Sequence, residues 1–492
     1  MMATIFKRTL EQLSERRIDP WHYQPRFERQ INKIKDNLGA LPLEAVIDSK
    51  RGVASGATPL GANYLEKGRV KFYRTSEVEE MFLQAEEAVF INDEDDEKLK
   101  RSRLVDGDVL LTITGAKFGK SAVVSAKHLP ANISQHSVRF KPDPKKVDAY
   151  FLVAYLNSKT GQVAIWKEAY GATRPAIDFP SVRSLAVPKV LPLAQKYIGD
   201  KVRQAEQLRA WAKRLEGMAD RKIKDLFHFN LVDSLTLKPR RMKQQVLSAV
   251  SLAPEFARAA DSQMTFRNSS KLSNFISKCK CGDPIKSEDR VPGPYFYYGA
   301  SGPIDTHTEF NFNGKYLIIA QDGSIGCANV ADGKFWANNH VWVLKVKDEY
   351  DIESICRFLD KHFPCWKGVT TGSVVPKVTS ENLLNILIPI DIAKNREIGS
   401  KLRLAVTTAA YAKKLTASAK TLVDSLIEGQ LTEQQLIQAQ QALEDGDSSL
   451  DQAILSKLSA EGYAIEGATP LFSDVDELYS LLEEAAQAEA EE

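Results

Sequence analysis

The pattern of apolar and polar residues occurs twice along the chain, in the same order and about 200 residues apart. A short apolar run enters a glycine-containing polar loop, and a turn rich in Asn enters an alternating strand. A helical segment, a second glycine-containing loop and a strand ending in proline follow. The segments are 107–120, 131–140, 148–158, 171–177 and 185–188, and again 314–326, 337–344, 351–361, 372–378 and 386–389. This order, at offsets of 201 to 208 residues, predicts a duplicated α/β domain.

Each copy is followed by a long segment with one apolar stripe at three- and four-residue spacing. The first stripe, which Arg209 interrupts, is Ile198, Val202, Ala205, Ala212, Leu215, Ala219, Ile223 and Leu226. The second stripe is Ile398, Leu402, Ala405, Ala409, Ala412, Leu415, Ala419, Leu422 and Leu426. Narrow apolar stripes between charged faces are typical of helices that pair. We therefore favour two long helices packed on each other over the alternative that each stripe covers only its own domain.

The end of the chain is acidic, and its apolar spacing predicts short helices at 432–445, 451–460 and 474–486. Residues 441–492 contain fourteen Asp and Glu and one Lys, a net charge of −13. The overall charge of +2 therefore leaves +15 on the first 440 residues, an excess of the kind that neutralises phosphates. The acidic extension is either a docking element for a partner or a solvated appendage.

Several classes of protein are disfavoured by the sequence. The length of 492 residues predicts three or four structural units, and no apolar run is long enough for a membrane span or a secretory signal. Five cysteines at 279, 281, 327, 356 and 365 form no CxxC pair, which suggests neither a disulfide framework nor a zinc site. Residues 115–121 have three residues between their glycines, whereas a phosphate-binding P-loop has four. We expect a cytoplasmic protein.

The layout resembles that of type I restriction–modification specificity subunits, over about residues 10–430. The segments that carry the resemblance are 17–23, 100–104 with 107–115, 171–177, 298–305 and 321–326. The resemblance implies a mixed α/β fold with two globular target recognition domains, separated by two long antiparallel coiled-coil spacer helices, plus a helical acidic C-terminal tail. The expected boundaries are 1–189 for the first recognition domain with an N-terminal helix, 190–235 for the central spacer, 236–389 for the second recognition domain, 390–430 for the C-terminal spacer and 431–492 for the tail.

The resemblance also implies that the two recognition domains read DNA, and the polar loops are where base edges and phosphates are expected to be contacted. The candidates in the first copy are Thr112, Thr114, Lys117, Phe118, Lys120, Gln135, Tyr170, Thr173 and Arg174. Those in the second copy are Gln321, Asp322, Ser324, Asn338, Asn339, Ser373 and Lys377. Arg174, Lys117 and Lys120 are the foremost candidates. The competing interpretation is that glycine-rich loops are simply turns.

The implied function is to select the DNA sequence on which other subunits carry out their reactions. The implied partners are double-stranded DNA, two methyltransferase subunits and restriction or translocase subunits, with no membrane. No catalytic residue, metal or cofactor is expected on this chain, whereas S-adenosylmethionine, ATP and magnesium are expected on the partner subunits. Two alternatives stay open, namely a DNA-reading subunit of another phage-defence methyltransferase assembly and a coiled-coil interaction scaffold that does not bind DNA.

Overall fold

The structure, a computed structural model, describes residues 6–14, 17–59, 61, 63–171, 173–226, 268–363, 366–371 and 376–491. The chain divides into unit 1, made of Met1–Ala210 and Thr408–Glu492, and unit 2, made of Trp211–Thr407. The sequence-predicted boundary at 235/236 and the residues Ser373 and Cys365 lie outside the described residues. Both units contain helices and sheets, so the predicted mixed α/β class is confirmed.

Unit 1 begins with strands and short helices and leads into the first long helix. Its strands are β1 Ala40–Pro42, β2 Ala54–Ser55, β3 Val70–Tyr73, β4 Val89–Ile91, β5 Val109–Thr112, β6 Ser121–Val123, β7 Ala131–Ile133, β8 Ser137–Phe140 and β9 Ala186–Pro188. Its helices are α1 Pro25–Asn37, α2 Leu43–Val46, α3 Asp93–Lys98, α4 Ala149–Asn157, α5 Lys159–Glu168, α6 Phe179–Arg183 and the first part of α7 Pro192–Leu226.

Unit 2 is richer in strands. They are β10 Ser269–Lys271, β11 Ile276–Cys281, β12 Tyr295–Gly299, β13 Gly302–His307, β14 Phe312–Asn313, β15 Tyr316–Ala320, β16 Ala328–Ala331, β17 Lys334–Ala337, β18 Val341–Val346, β19 Thr370–Thr371, β20 Lys377–Val378 and β21 Leu387–Pro389. Its helices are α8 Leu272–Phe275, α9 Ile352–Arg357, α10 Trp366–Val369, α11 Ser380–Leu384, α12 Ile390–Ala393 and the first part of α13 Arg396–Ile427. A π-helical turn, Phe358–His362, continues α9.

The main sheets of the two units have the same strand order, which confirms the duplication. The main sheet has the order β2-β8-β5-β6 in unit 1 and β11-β18-β15-β16 in unit 2. A second sheet contains a parallel pair in each unit, β3 with β7 and β12 with β17. Each unit also has a two-stranded sheet, made of β1 and β9 in unit 1 and of β10 and β21 in unit 2. Apolar side chains of the main sheets fill the buried cores.

The same N-terminal cap recurs on the predicted helix of each copy. Asp148 caps α4 by accepting hydrogen bonds from the backbone N–H groups of Tyr150 and Phe151, and Asp351 caps α9 through Ser354. Each capping carboxylate is also bound by an arginine of its unit's long helix, Arg203 in unit 1 and Arg403 in unit 2.

A glycine lies at the close approach of each long helix to its capping carboxylate. A Cβ on Gly199 would stand 2.5 Å from Asp148 Oδ1, and a Cβ on Gly399 would stand 2.0 Å from Asp351 Oδ1. Only glycine therefore allows the helix to approach the carboxylate this closely.

The two long helices have the predicted narrow buried stripes, with two corrections. The apolar stripe of α7 is not interrupted at Arg209, because Leu208 is fully buried there and the Arg209 guanidinium lies over the Phe82 ring. Leu226, predicted to be in the stripe, is 36% exposed. Unit 1 contains the beginning of α7 and the end of α13, and unit 2 contains the end of α7 and the beginning of α13. This is the arrangement that an antiparallel pair of helices gives.

The acidic extension folds as part of unit 1. Its helices are α14 Glu433–Glu444, α15 Ser449–Leu455 and α16 Val475–Ala490, which confirms the three predicted helices within a few residues. Asp451 of α15 is 1% exposed and accepts hydrogen bonds from Tyr197 Oη at 2.5 Å and Lys201 Nζ at 2.8 Å. Tyr479 of α16 also donates to Asp451. The extension is therefore not simply solvated, since a buried carboxylate fixes it to α7.

No helix in the part of the chain that the structure describes could cross a bilayer. Among the described cysteines, Cys279, Cys281, Cys327 and Cys356 are all free thiols. The described His, Cys, Asp and Glu side chains form no group of three suited to a metal ion.

Candidate nucleic-acid interface

Three sequence-predicted polar loops of unit 1 lie together at one end of its main sheet. The loop after β5 joins the turn before β8, because Ile113 N–H donates to the His136 carbonyl at 3.0 Å. It also joins the second glycine-containing loop, because Ile177 N–H donates to the Ile113 carbonyl at 3.1 Å. Tyr170 and Ala176 close that loop with two backbone hydrogen bonds of 2.9 Å. Segments far apart in sequence therefore form one surface.

Unit 2 builds the same surface with equivalent backbone hydrogen bonds. Gln321 N–H donates to the His340 carbonyl at 2.8 Å, and Val378 N–H donates to the Gln321 carbonyl at 2.8 Å. Gln321 thus takes the place that Ile113 has in unit 1. We refer to these two surfaces as the loop clusters. Each is made of the loop after β5 or β15, the Asn/Gln turn at 134–136 or 338–340, and the described part of the second glycine-containing loop, which is 170–171 with 173–177 in unit 1 and 376–378 in unit 2.

Two of the predicted contact residues in unit 1 are buried beneath its loop cluster. Thr112 is fully buried at the end of β5, and Phe118 is 7% exposed. The Phe118 ring packs edge-to-face against Trp166, with centroids 5.0 Å apart. Gly115 and Gly119 have φ of +97° and +84°, so the loop turns through conformations that favour glycine. Phe118 thus anchors the loop and is not available to stack on a base.

Lys117 and Lys120, two of the foremost candidates, are already paired within unit 1. Both ammonium groups bind the carboxylate of Glu79, Lys120 at 2.7 Å and Lys117 at an even closer approach. Burial alone would raise the pKa of Glu79, but the hydrogen bonds from the two lysines outweigh burial and hold its pKa below the usual range. The trio carries a net charge of +1, which halves the attraction that the two lysines alone would exert on phosphate.

Replacing Glu79 tests whether the charge of Lys117 and Lys120 contributes to DNA binding. If the loop contacts phosphate, Glu79→Gln frees a cation, and the slope of log affinity against log salt for duplex DNA should steepen by about 1. Glu87→Gln, which removes the same charge from an exposed position of unit 1, should leave the slope near that of the wild type. Equal slopes for Glu79→Gln and the wild type would place the loop away from the DNA.

Arg174 and its neighbours form the accessible part of the loop cluster in unit 1. Tyr170, Thr173, Arg174 and Gln135 are exposed, and Thr114 is half-buried. One guanidinium nitrogen of Arg174 lies beside Gly115, 3.9 Å from where a Cβ would stand. No described carboxylate lies within ion-pair distance of Arg174. The second glycine-containing loop therefore presents a cation directly over the glycine turn of the first.

The loop cluster of unit 2 contains a small charge network. Asp322 accepts a hydrogen bond from His340 Nδ1 at 2.8 Å and lies 3.6 Å from Lys377 Nζ. Ser324, Asn339 and Lys377 are exposed and Gln321 is half-buried. Asn338 is buried, and its Oδ1 accepts from His340 N–H at 2.9 Å. Among the described residues of this cluster, the exposed donors are therefore His340, Lys377, Ser324 and Asn339.

Several residues of the clusters were not singled out from the sequence. Glu79 lies on a segment 38 residues before Lys117, and only the tertiary fold brings them together. Thr58, which follows β2, contacts Gln135, and Cys281 at the end of β11 contacts Gln321 and Asn339. No motif in the sequence indicated these pairs. Contact with DNA stays a prediction for all the accessible residues.

Part of the chain is similar to proteins of a known family. Residues 268–416 match the family model of the type I restriction modification DNA specificity domain. A Haemophilus influenzae protein named as a type I restriction enzyme specificity subunit, S.HindORF215P, is 31% identical over 133 residues. That match covers 26% of this chain and 34% of that protein, so the chain spans about a third of the length of this relative.

Solved structures of similar proteins resemble the chain only distantly. The S subunit of a type I restriction–modification system from M. genitalium is 16% identical, with 80% of this chain and 96% of that chain covered and a TM-score of 0.45. The HsdS subunit from Thermoanaerobacter tengcongensis is 14% identical, with 80% and 97% covered and a TM-score of 0.28. Such low TM-scores carry no weight for the arrangement of the units.

Proposed function

We propose that the chain is a specificity subunit that reads a bipartite DNA target, because residues 268–416 match the family model of the type I restriction modification DNA specificity domain. Each unit binds one half-site through its loop cluster. The side chains exposed on the two clusters differ, with Arg174 and Tyr170 in unit 1 and His340 and Lys377 in unit 2. The two half-sites are therefore expected to have unlike sequences.

The observation that carries this proposal is the recurrence of the loop cluster. Both clusters are built by equivalent hydrogen bonds, Ile113 to His136 in unit 1 and Gln321 to His340 in unit 2. Each bond lies at the same end of its unit's main sheet. A duplicated scaffold that presents two different sets of exposed polar side chains is suited to reading two different sequences. The first 440 residues carry a net charge of +15, which favours attraction of this part of the chain to phosphate.

The reaction itself is proposed to take place on other subunits. Two methyltransferase subunits, holding S-adenosylmethionine, dock on this chain and modify the DNA that it addresses, and restriction subunits use ATP and magnesium. In this proposal the chain contributes binding and orientation but no catalytic group. The long helices α7 and α13 set the distance between the half-sites.

Binding of the full-length chain to random duplex DNA provides the first test. A protein that neutralises several phosphates loses affinity steeply with salt, with a slope of about −0.9 per phosphate in log affinity against log salt. We expect a slope of about −4 or steeper, measured by fluorescence anisotropy between 50 and 300 mM salt. Binding that is absent or independent of salt would instead favour a protein scaffold.

Methylation mapping provides the second test. The chain is expressed with its modification subunits in a host without other methyltransferases, and methylated positions are located across the genome. The expected result is one motif with two unlike halves and a fixed gap. A continuous, undivided motif would contradict the bipartite proposal.

A further inference from the structure

The outer strand of the main sheet in unit 2 reaches the loop cluster. Strand β11 is hydrogen-bonded only to β18 among the described strands, so its other edge is open. Cys281, the last residue of β11, places its Sγ 3.5 Å from both Gln321 Oε1 and the Asn339 carbonyl. The strand therefore leads from the opposite end of the sheet to the residues proposed to read bases.

The corresponding strand of unit 1 leads to the same place. Ser55 of β2 pairs with Val138, which lies three residues after Gln135. Cys281 of β11 pairs with Trp342, which lies three residues after Asn339. Thr58, just beyond β2, hydrogen-bonds to Gln135. The open strand is thus a fourth element of both loop clusters. In unit 1 the segment just after β2 contacts the Asn/Gln turn, and in unit 2 the last residue of β11 contacts it.

The open strand of unit 2 is basic, whereas that of unit 1 is not. Lys278 and Lys280 point to the same side of β11, and both are exposed. No described carboxylate lies within ion-pair distance of either ammonium group. From the strand registers, the equivalent positions of unit 1 are Gly52 and Ala54, which carry no charge. The two lysines are therefore a feature of unit 2 alone.

We propose that Lys278 and Lys280 bind the DNA backbone beside the half-site that unit 2 reads, which rests on the proposed function of the chain. Residues two apart on a strand are about 7 Å apart, so each ammonium group can bind a different phosphate. Unpaired lysines on an open strand edge hold the duplex without reading its sequence, and the adjoining cluster then reads it. They position the DNA for the loop cluster of unit 2.

An open strand edge also presents a structural alternative. Lysines on such an edge prevent it from pairing with a strand of another molecule. In that case their removal causes self-association without a change in DNA affinity. The two roles therefore differ in what a lysine-free variant does.

The test compares two double variants of the full chain. Lys278→Ala with Lys280→Ala removes the proposed phosphate contacts. Lys271→Ala with Lys394→Ala removes the same charge from two other exposed residues of unit 2, near the beginning of β11. These two lysines lie in neighbouring segments, since Ile390 N–H, close to Lys394, donates to the Asn268 carbonyl, close to Lys271. Affinity for duplex DNA is measured from 50 to 200 mM salt, and light scattering reports self-association.

The first double variant is expected to lower the steepness of the salt slope by about 2, so that its affinity changes about tenfold less than that of the wild type over this range. Its preference for the target over random DNA should stay unchanged. A slope equal to that of the control, with or without self-association, overturns the inference while leaving the proposed function intact. A wild-type chain with no salt-dependent binding overturns both.

Discussion

Asp451→Ala is expected to lower the free energy of unfolding of unit 1 by about 3–5 kcal/mol, the largest effect of any single substitution considered. Asp451 and Lys201 are each 1% exposed and form an ion pair with a shortest separation of 2.7 Å. Removing the carboxylate leaves the Lys201 ammonium buried without its partner and removes an acceptor from Tyr197 and Tyr479. Chemical denaturation of the full chain, followed by the signal of unit 1, measures the change.

A surface ion pair on the same helix provides the control. Lys196 is 47% exposed and pairs with Asp200 at 2.9 Å and Glu444 at 3.3 Å. Because exposed pairs contribute little, Lys196→Ala should cost about 1 kcal/mol or less. Replacing both buried partners, Lys201→Met with Asp451→Leu, should recover much of the lost stability, since no unpaired charge remains. Equal effects of Asp451→Ala and Lys196→Ala would mean that the acidic extension is not held by this carboxylate.

The same carboxylate makes the attachment of the extension sensitive to acid. Burial alone would raise the pKa of Asp451, but the charge of Lys201 and the hydrogen bonds from Lys201, Tyr197 and Tyr479 hold the pKa below its usual value. A lowered pKa in the folded state means that the stabilisation is fully present above the unfolded-state pKa, about 3.9, and is lost as pH falls through the folded value. The wild type should therefore lose more stability below about pH 4 than the double variant without the pair.

The sequence predicted the elements of the fold well because they depend on local pattern. The duplication, the long helices and the three helices of the extension follow from spacing that repeats within a few turns or strands. Of the two errors in the stripe of α7, the one at Arg209 has a simple physical origin. Arg209 occupies a stripe position in a strict count, but the neighbouring Leu208 is the residue that is buried, and the Arg209 guanidinium lies over the Phe82 ring.

The candidate site was less predictable because its chemistry depends on contacts between distant segments. Lys117 and Lys120 read as free cations in sequence, yet Glu79 neutralises half of their charge. Phe118 was a candidate DNA contact from the sequence, yet it is buried against Trp166. The acidic extension read as solvated or as a docking element, yet Asp451 is buried in unit 1. In each case the residue that contacts the side chain lies far away in sequence, so the local sequence pattern does not predict the contact.

Arg174→Ala is expected to weaken binding to the specific target by about 1–3 kcal/mol, or roughly 5- to 150-fold. Arg174 is exposed, and one of its guanidinium nitrogens lies beside Gly115 in the loop cluster of unit 1. An arginine fork that binds a guanine edge discriminates between bases, and its loss should relax selection at one position of one half-site. Arg183→Ala, which removes an exposed arginine from α6 of the same unit, should change affinity by less than about threefold.

Arg174→Lys separates reading of a base from attraction to the backbone. Lysine keeps the positive charge but lacks the planar fork that binds two acceptors at once. If Arg174 reads a base, the lysine variant retains the salt slope of the wild type but loses selection at the same position as Arg174→Ala. If it binds only phosphate, the lysine variant keeps both the slope and the selectivity. Binding by Arg174→Ala that matches Arg183→Ala would remove Arg174 from the interface, and the reading of the first half-site would then fall to Gln135, Tyr170 and Thr173.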